Sequence, residues 1–262
     1  MKLKNNIQAL ILDMDGVIWR KKHPIGNLAN IFQRISSLGL KYVFATNNST
    51  ETVDSYVSLL RDNGIQVEPH QVITSATATA QFLVEKFPEG GNVFIVGMEG
   101  LATTLKAYGF SINSQEAKAV VVGMDRTLTY DKLQTATLLI RSGAPFFGTN
   151  PDRTFPTPQG LVPGAGSMLA AIEVATDVSP KIIGKPQGTM FFQALETLKI
   201  KPENALVVGD RLETDIAGGQ AANCKTALVL SGVSSEAQGK AWKPNLDYIA
   251  QDLDTLITQL GA

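Results

Sequence analysis

Short apolar runs alternate with stretches of helical hydrophobic spacing along this chain of 262 residues. Residues 9–12 and 42–45 have the composition of buried strands, and apolar residues at helical spacing follow each of them. Strands that alternate with helices are typical of a parallel sheet, because a crossover must carry the chain back before the next parallel strand begins. The alternation therefore predicts an α/β fold with a Rossmann-like parallel-sheet core.

The same alternation returns after residue 180, while the middle of the chain carries a separate set of elements. Further strands of the outer part are predicted at residues 181–183, 205–208 and 226–230, and those of the middle part near 93–96, 120–122 and 145–147. Helices of the middle part are predicted near residues 133–140 and 167–175. We therefore predict a core domain formed by residues 1–75 and 184–262, into which an α/β domain of residues 76–183 is inserted.

The composition excludes several classes of protein. A net charge of −1 gives no broad positive surface for nucleic acid, and no run of 18 or more apolar residues predicts a transmembrane helix. The first residues have no signal-peptide pattern, so we expect a cytoplasmic protein without membrane partners. Cys224 is the only cysteine, which excludes an intramolecular disulfide and a thiolate zinc cluster.

Polar side chains follow four of the predicted strands of the outer part. In open parallel sheets, ligands bind at the carboxyl ends of the strands, so these side chains are expected to converge at one edge. The four segments are Asp13-Met14-Asp15-Gly16, Thr46-Asn47-Asn48-Ser49, Gly184-Lys185-Pro186, and the stretch from Gly209-Asp210 to Asp215.

Carboxylates, a hydroxyl and an ammonium form a set that suits phosphoryl transfer. A carboxylate nucleophile and an anionic phosphate about 4 Å apart repel by roughly 4 kcal/mol at an effective dielectric of 20. That repulsion alone would slow the reaction by about three powers of ten. A lysine and a divalent metal offset it, and carboxylate oxygens without histidine or thiol suit Mg²⁺ better than zinc.

These segments resemble the four motifs of the haloacid dehalogenase-like (HAD) superfamily, in the order of that family. The resemblance implies that Asp13 is the nucleophile that becomes a phospho-aspartate and that Asp15 is the general acid and base. It implies that Gly16, Thr46, Asn47 and Lys185 bind the phosphate. It also implies that Mg²⁺ is held by the Asp13 carboxylate, the Asp15 backbone carbonyl and the Asp210 carboxylate, with Asp215 just outside these direct ligands.

More than a hundred residues separate Thr46 from Lys185. Members of this superfamily carry an inserted domain called the cap, and the resemblance implies that the cap lies in this interval, which is the C2 arrangement. The Thr46 segment, Asn150-Pro151-Asp152 and the Gly-rich stretch at residues 163–167 resemble the NagD and 4-nitrophenylphosphatase branch. Asn150 and Asp152 are then expected to contact the leaving group. A purely structural turn is the alternative for these two residues.

The expected function is a Mg²⁺-dependent phosphatase acting on a small phosphorylated metabolite. Three alternatives stay open: a phosphotransferase with the same Asp13 chemistry, a haloacid dehalogenase, and a non-catalytic phosphometabolite-binding or regulatory protein. Asp15 argues against the dehalogenase, since a phosphate ester needs the additional acid. The oligomeric state is open, with a homodimer as one arrangement.

Overall fold

In the computed structural model, which describes residues 6–20, 23–113, 115–157 and 159–262, the chain forms two compact units. The first unit comprises the chain up to Thr46, Tyr56–Ile73 and Lys185–Ala262, and the second comprises Asn47–Ser55 and Thr74–Gly184. The strands are β1 (Ala9–Leu12), β2 (Trp19–Arg20), β3 (His23–Pro24), β4 (Lys41–Thr46), β5 (Val72–Thr74), β6 (Gly91–Val96), β7 (Phe110–Ile112), β8 (Val120–Val122), β9 (Phe146–Gly148), β10 (Thr154–Thr157), β11 (Gly160–Pro163), β12 (Lys181–Ile182), β13 (Ala205–Gly209), β14 (Lys225–Val229) and β15 (Tyr248–Ala250). The helices are α1 (Leu28–Ser37), α2 (Val53–Asp62), α3 (Ser75–Lys86), α4 (Glu99–Ala107), α5 (Tyr130–Arg141), α6 (Ala165–Thr176), α7 (Thr189–Leu198), α8 (Ala217–Ala221), α9 (Glu236–Ala241) and α10 (Leu253–Gly261).

The first sheet has six strands in the order β15-β14-β13-β1-β4-β5. The pairings from β15 through to β4 are parallel. Strands β1 and β13 are wholly buried and apolar, as expected for central strands that are covered on both faces. Leu12 lies beside both Val208 and Phe44, so three neighbouring strands end within two residues of one another at one edge of the sheet.

Helix α1 illustrates how the helices stabilise this sheet. Its buried face consists of Leu28, Ile31, Phe32 and Ile35, the helical spacing predicted from the sequence. Each such buried side chain contributes about 1.5–3 kcal/mol relative to exposure in water. The side-chain oxygen of Asn27 accepts a hydrogen bond from the backbone N–H of Asn30, and this bond caps the first turn of α1.

The second sheet has five parallel strands in the order β12-β9-β8-β6-β7. Its membership corrects one prediction, because the strand expected at residues 181–183 of the outer part pairs with β9 instead. Lys181 lies beside Phe147, and the backbone N–H of Ile183 donates to Gly148. An apolar run predicts a strand but carries no information about its partner, which is chosen by non-local pairing.

The parallel α/β fold class is confirmed, with two antiparallel pairs, β2–β3 and β10–β11, in addition. The boundaries predicted for the core and the inserted domain stay a prediction, since a compact unit is not by itself an independently folding domain. None of the helices in the described part of the chain combines the length and the apolar character that crossing a membrane requires.

Candidate active site

Three polar segments leave the first sheet side by side. Asp13 follows β1, Thr46 is the last residue of β4, and Asp210 follows β13. The backbone N–H of Asp13 donates to Val208 at 2.9 Å, which continues the sheet pairing up to this residue. The neighbouring ends of the strands therefore place the predicted nucleophile between the other two segments.

Lys185 joins two carboxylates of this edge. Its Nζ lies 2.5 Å from Oδ1 of Asp13, 2.6 Å from Oδ1 of Asp215 and 2.9 Å from the carbonyl oxygen of Ala45. The Lys185 and Asp215 side chains are 3% and 2% exposed, whereas that of Asp13 is 11% exposed. Asp13 is thus the member of this ion-paired group that solvent can reach.

Asp215 is delivered by the π-helical turn at Leu212–Ile216, which follows β13. Its second oxygen, Oδ2, accepts the backbone N–H of Arg211 at 3.2 Å. Both carboxylate oxygens of Asp215 are therefore engaged, one by an ammonium and one by the backbone. This arrangement suits a residue that orients its neighbours.

The carboxylates of Asp13, Asp210 and Asp215 form a cluster that fits a hard divalent cation. Each offers an oxygen atom, and these atoms all lie within 4.8 Å of one another. Mg²⁺ prefers such oxygen donors, whereas nitrogen and sulfur donors would favour zinc. The residues present therefore fit magnesium.

Burial is the main cause of the raised carboxyl pKa values in this cluster, and neighbouring negative charge adds to it. Burial raises the pKa of Asp210 to about 7, and the nearby charge of Asp215 acts in the same direction. Burial also raises the pKa of Asp13, against the opposing effect of Lys185. Burial alone would lower the pKa of Lys185, but Asp13 and Asp215 outweigh it, so this pKa lies above its usual value and Lys185 is a cation at neutral pH.

The turn after Asp13 depends on a glycine. Gly16 has φ +87°, a left-handed conformation that other residues adopt only with strain. A Cβ atom at Gly16 would also lie 2.5 Å from Oδ2 of Asp210. The turn therefore brings the backbone around Asp15 and Gly16 directly against the Asp210 carboxylate.

Sequence reasoning missed the segment of residues 231–234, here called the β14 loop. The backbone N–H of Val233 donates to Oδ2 of Asp210 at 2.8 Å, and Oγ of Ser231 donates to the carbonyl oxygen of Gly16 at 2.6 Å. The segment follows the predicted strand at 226–230. The strand-end argument used for the other segments would have identified it.

Asn47, Asn150 and Asp152 lie in the second unit, where they contact one another. Nδ2 of Asn150 donates to the carbonyl oxygen of Asn47 at 2.7 Å, and Nδ2 of Asn47 lies 3.3 Å from Oδ2 of Asp152. Oγ of Ser75, at the start of α3, donates to the same Asn47 carbonyl at 2.5 Å. These bonds order the Asn150-Pro151-Asp152 loop, and the expected contact with the leaving group stays a prediction.

Comparisons with known proteins agree with this arrangement. The family model for haloacid dehalogenase-like hydrolases matches residues 10–111, and a second HAD-hydrolase-like model matches residues 182–256. An acid sugar phosphatase of Staphylococcus aureus is 36% identical over 256 residues, which are 97% of this chain and 98% of that protein. This chain belongs to the haloacid dehalogenase-like hydrolases.

Solved structures of haloacid dehalogenase-like phosphatases share the fold. The p-nitrophenyl phosphatase from Archaeoglobus fulgidus is 30% identical with a TM-score of 0.91, over 97% of this chain and all of that one. A glycerol phosphate phosphatase from Mycobacterium tuberculosis, solved in complex with magnesium, is 35% identical with a TM-score of 0.89, over 98% of this chain and 78% of that one. The predicted NagD and 4-nitrophenylphosphatase branch and the predicted class of enzyme, a phosphatase, are confirmed.

Proposed function

We propose that this chain is a magnesium-dependent phosphatase that hydrolyses small phosphate monoesters through a phospho-aspartate on Asp13. The observation that carries the proposal is the contrast within the carboxylate cluster. Asp13 is partly accessible and paired with Lys185, whereas Asp210 and Asp215 are 2% exposed. A nucleophile must reach its substrate, whereas buried carboxylates that accept hydrogen bonds are suited to holding a cation or to orienting neighbouring groups.

In the first step, a carboxylate oxygen of Asp13 attacks phosphorus and the bond from phosphorus to the ester oxygen breaks. Asp15 donates its proton to that oxygen, so the product leaves as a neutral alcohol. Lys185 holds Oδ1 of Asp13, which leaves Oδ2 as the oxygen that we assign to the attack. The Lys185 charge also reduces the repulsion between the carboxylate and the phosphate.

In the second step, Asp15 takes a proton from water and the resulting hydroxide attacks phosphorus. The bond between phosphorus and Asp13 breaks, which releases inorganic phosphate and restores the Asp13 carboxylate. Asp15 ends the cycle protonated, as it began. Thr46, the backbone at Asn47, and Lys185 are assigned to the phosphate oxygens. The Gly16 backbone, which the sequence also suggested, is engaged elsewhere, since its N–H donates to Trp19 and its carbonyl oxygen accepts from Ser231.

The carboxylates of Asp13 and Asp210 and the backbone carbonyl of Asp15 would hold Mg²⁺. When bound, the ion neutralises charge on the phosphate and supports its in-line transfer. Asp215 is assigned to orienting Lys185 and the turn at Arg211, in agreement with its two hydrogen bonds.

The substrate class that we propose is phosphorylated sugars and polyols. It is supported by relatives that are named acid sugar phosphatase and glycerol phosphate phosphatase and are at least 35% identical to this chain. The second unit would act as the cap, with Asn150 and Asp152 at the leaving group. A closed cap would exclude water during the first step and would select small substrates.

The decisive experiment measures release of 4-nitrophenol and of phosphate from 4-nitrophenyl phosphate, with and without Mg²⁺, for the wild type and Asp13→Asn. We expect magnesium-dependent turnover that the variant loses while its melting temperature stays close to that of the wild type. Asp62→Asn, at an exposed carboxylate of α2, is the matched control and should keep full activity. Near-normal activity of Asp13→Asn would refute the assignment of the nucleophile, and 4-nitrophenol in excess of phosphate would indicate transfer to another acceptor.

A further inference from the structure

The β14 loop contacts two parts of the candidate site that are far apart in sequence. Oγ of Ser231 lies 2.6 Å from the carbonyl oxygen of Gly16, 215 residues away. The backbone N–H of Val233 lies 2.8 Å from Oδ2 of Asp210. No part of the mechanism above uses this loop, yet it joins the turn after Asp13 to the Asp210 carboxylate.

The Ser231 hydroxyl completes the fixation of the backbone on both sides of Gly16. The N–H of Gly16 donates to the carbonyl oxygen of Trp19 at 2.8 Å, and the peptide bond before Gly16 is trans. In a trans peptide the N–H and C=O groups point in opposite directions, so this bond turns the carbonyl of Asp15 away from Trp19. Ser231 holds the next carbonyl, that of Gly16, and thereby stops the Gly16 backbone from rotating.

The rest of the loop packs directly on Asp210. A Cβ atom at Gly232 would lie 1.9 Å from Oδ2 of Asp210. Only glycine, which has no Cβ atom, therefore allows the backbone to lie this close to the carboxylate. The Val233 N–H bond then fixes Oδ2. The remaining oxygen, Oδ1, is consequently oriented by the loop.

Arg20 holds the other side of Ser231. Its Nε donates to the carbonyl oxygen of Ser231 at 2.6 Å, and Ser231 itself is 7% exposed. The hydroxyl and the carbonyl of one buried serine are thus both engaged, by Gly16 and by Arg20. Hydrogen bonds thus link Arg20, Ser231 and Gly16 in series and hold the β14 loop against the turn after Asp13.

We propose that Ser231 is a positioning residue for magnesium, which sets the Asp15 carbonyl and the Asp210 carboxylate at a fixed separation. The inference rests on the proposed function, since it assumes that these two groups bind the ion. Mg²⁺ requires nearly ideal octahedral geometry, so a small displacement of one oxygen ligand weakens binding. Loss of groups that orient metal ligands reduces metal affinity or activity by about 10–100-fold.

The test is isothermal titration calorimetry of Mg²⁺ with the wild type, Ser231→Ala and Ser231→Thr, in the absence of substrate. We expect the Kd for Mg²⁺ to rise by about 10–100-fold in Ser231→Ala and to stay near the wild-type value in Ser231→Thr, which keeps the hydroxyl. In turnover assays, Ser231→Ala should need more Mg²⁺ for half-maximal rate and should recover most of kcat at saturating Mg²⁺.

Thr226→Val is the matched control. Thr226 is a buried residue of β14 whose hydroxyl has no hydrogen-bond partner among the described residues. Its isosteric replacement removes a buried hydroxyl from the strand that precedes the β14 loop without breaking a bond, so the Kd for Mg²⁺ should not change. The control separates loss of the Ser231 bond from a general effect of altering β14.

If Ser231→Ala does not fold, Arg20→Ala carries the test, because Arg20 is exposed and its loss frees the Ser231 carbonyl. It should weaken Mg²⁺ binding less than Ser231→Ala. Where both variants fold, the double variant should be weakened by less than the product of the two single effects, since both act through one loop.

The outcomes distinguish failure of the role proposed for Ser231 from failure of the magnesium site itself. A wild type that binds Mg²⁺, with Ser231→Ala and Arg20→Ala both binding within about twofold of it, overturns the role of Ser231 and leaves the phosphatase proposal intact. A wild type that binds no Mg²⁺ in calorimetry and shows no magnesium-dependent turnover overturns the magnesium site itself, and this inference with it.

Discussion

At the scale of single residues, the carboxylates of Asp13, Asp210 and Asp215 differ in the groups that they contact. Oδ1 of Asp13 contacts Lys185 while its side chain stays partly accessible. Both oxygens of Asp215 are bonded, to Lys185 and to Arg211. Asp210 accepts a backbone N–H from the β14 loop. Residues of one chemical type thus obtain different roles from their surroundings, as expected where burial and neighbouring charge differ.

Asp15→Asn should distinguish substrates by their leaving groups. A sugar or glycerol alkoxide needs a proton as it leaves, whereas 4-nitrophenolate is a stable anion. Because kcat/KM reports the first step, we expect it to fall by about 10²–10⁴-fold for glycerol phosphate and far less for 4-nitrophenyl phosphate. Steady-state kinetics with both esters would measure this.

The general-acid role of Asp15 is wrong if the two esters lose kcat/KM equally. The kcat for 4-nitrophenyl phosphate should still fall, because Asp15 also activates water in the second step. Asp62→Asn again serves as the control, since its carboxylate is exposed on α2.

Magnesium binding should tighten as the pH rises from about 6 to 8. The pKa of Asp210 is raised to about 7 by burial and by Asp215, so its carboxyl is mostly protonated at the lower pH and must lose that proton to bind the ion. Below pH 7 the Kd should fall by about tenfold per pH unit for one released proton, and it should level off above pH 8. Calorimetric titration with Mg²⁺ in two buffers of different ionisation enthalpy would detect the proton that is released on binding.

The same raised pKa has a consequence for stability. Because the pKa of the Asp210 carboxyl is higher in the folded state than in the unfolded chain, the folded state binds this proton more tightly. The free energy of unfolding therefore falls as the pH rises toward 7 and the carboxyl ionises. Mg²⁺ should therefore raise the melting temperature more at pH 8 than at pH 6. Equal shifts at the two values would contradict the assignment of Asp210 as a ligand.

At the scale of elements, strand β8 and helix α5 are connected through a half-buried ion pair in the second unit, between the buried Asp125 and the partly exposed Lys132. Asp125, 1% exposed, accepts hydrogen bonds from Nζ of Lys132 at 2.7 Å and from the backbone N–H of Thr127 at 2.7 Å. Burial alone would raise the pKa of Asp125, but the bonds to Lys132 and Thr127 outweigh it and hold this pKa below its usual value. The carboxylate thus anchors the start of α5.

Asp125→Asn should lower the free energy of unfolding at pH 7 by about 2 kcal/mol, the typical contribution of hydrogen bonds to a charged group. Because the folded pKa is depressed, this contribution is present above the ordinary pKa of 3.8 and is lost as the pH falls through the folded value. Urea denaturation followed by circular dichroism between pH 3 and pH 7 would show the two proteins converging in acid.

Asp131→Asn is the control, since Asp131 is an exposed neighbour on α5. It should change stability by less than about 0.5 kcal/mol. A difference between Asp125→Asn and the wild type that stays constant down to pH 3 would show that the charge of Asp125 has no part in anchoring α5.

Helix α3 shows where sequence patterns fail at this scale. It spans Ser75–Lys86 and is mostly buried, yet its first half consists of serine, threonine and alanine. Large apolar residues at helical spacing are the signal that identifies a buried helix, and here only Leu83 among the buried residues provides it. The capping box formed by Thr74 and Thr77 was the sequence feature that could have marked its start.

At the scale of the whole molecule, Cys224 can report on unfolding of the first unit. It is 8% exposed, and burial raises the pKa of its thiol to about 12. Because the thiolate is the reactive form, a thiol reagent at pH 8 should label the folded protein very slowly. Mg²⁺ at 100 times its Kd should slow the labelling further by about 100-fold, because it binds the folded state alone.

Labelling kinetics with and without Mg²⁺, read by mass spectrometry, would measure this effect. Asp210→Asn, which lacks a proposed ligand, should show no slowing by Mg²⁺. Labelling of the wild type that is fast and independent of Mg²⁺ would mean that Cys224 is exposed by local opening, and that the site and this part of the unit are not coupled.

The pattern of residues along the chain was enough to predict the α/β class, the strands β1, β4 and β13, and the segments that follow them. These depend on local composition and spacing, so the resemblance to HAD motifs could be recognised from Asp13, Thr46, Lys185 and Asp210. The folded structure was needed to show that β12 joins the second sheet, that α3 is a buried helix, and that Ser231 holds Gly16. The physical reason is that strand pairing and hydrogen bonds between residues up to 215 positions apart depend on which backbones meet, and a local pattern carries no record of that.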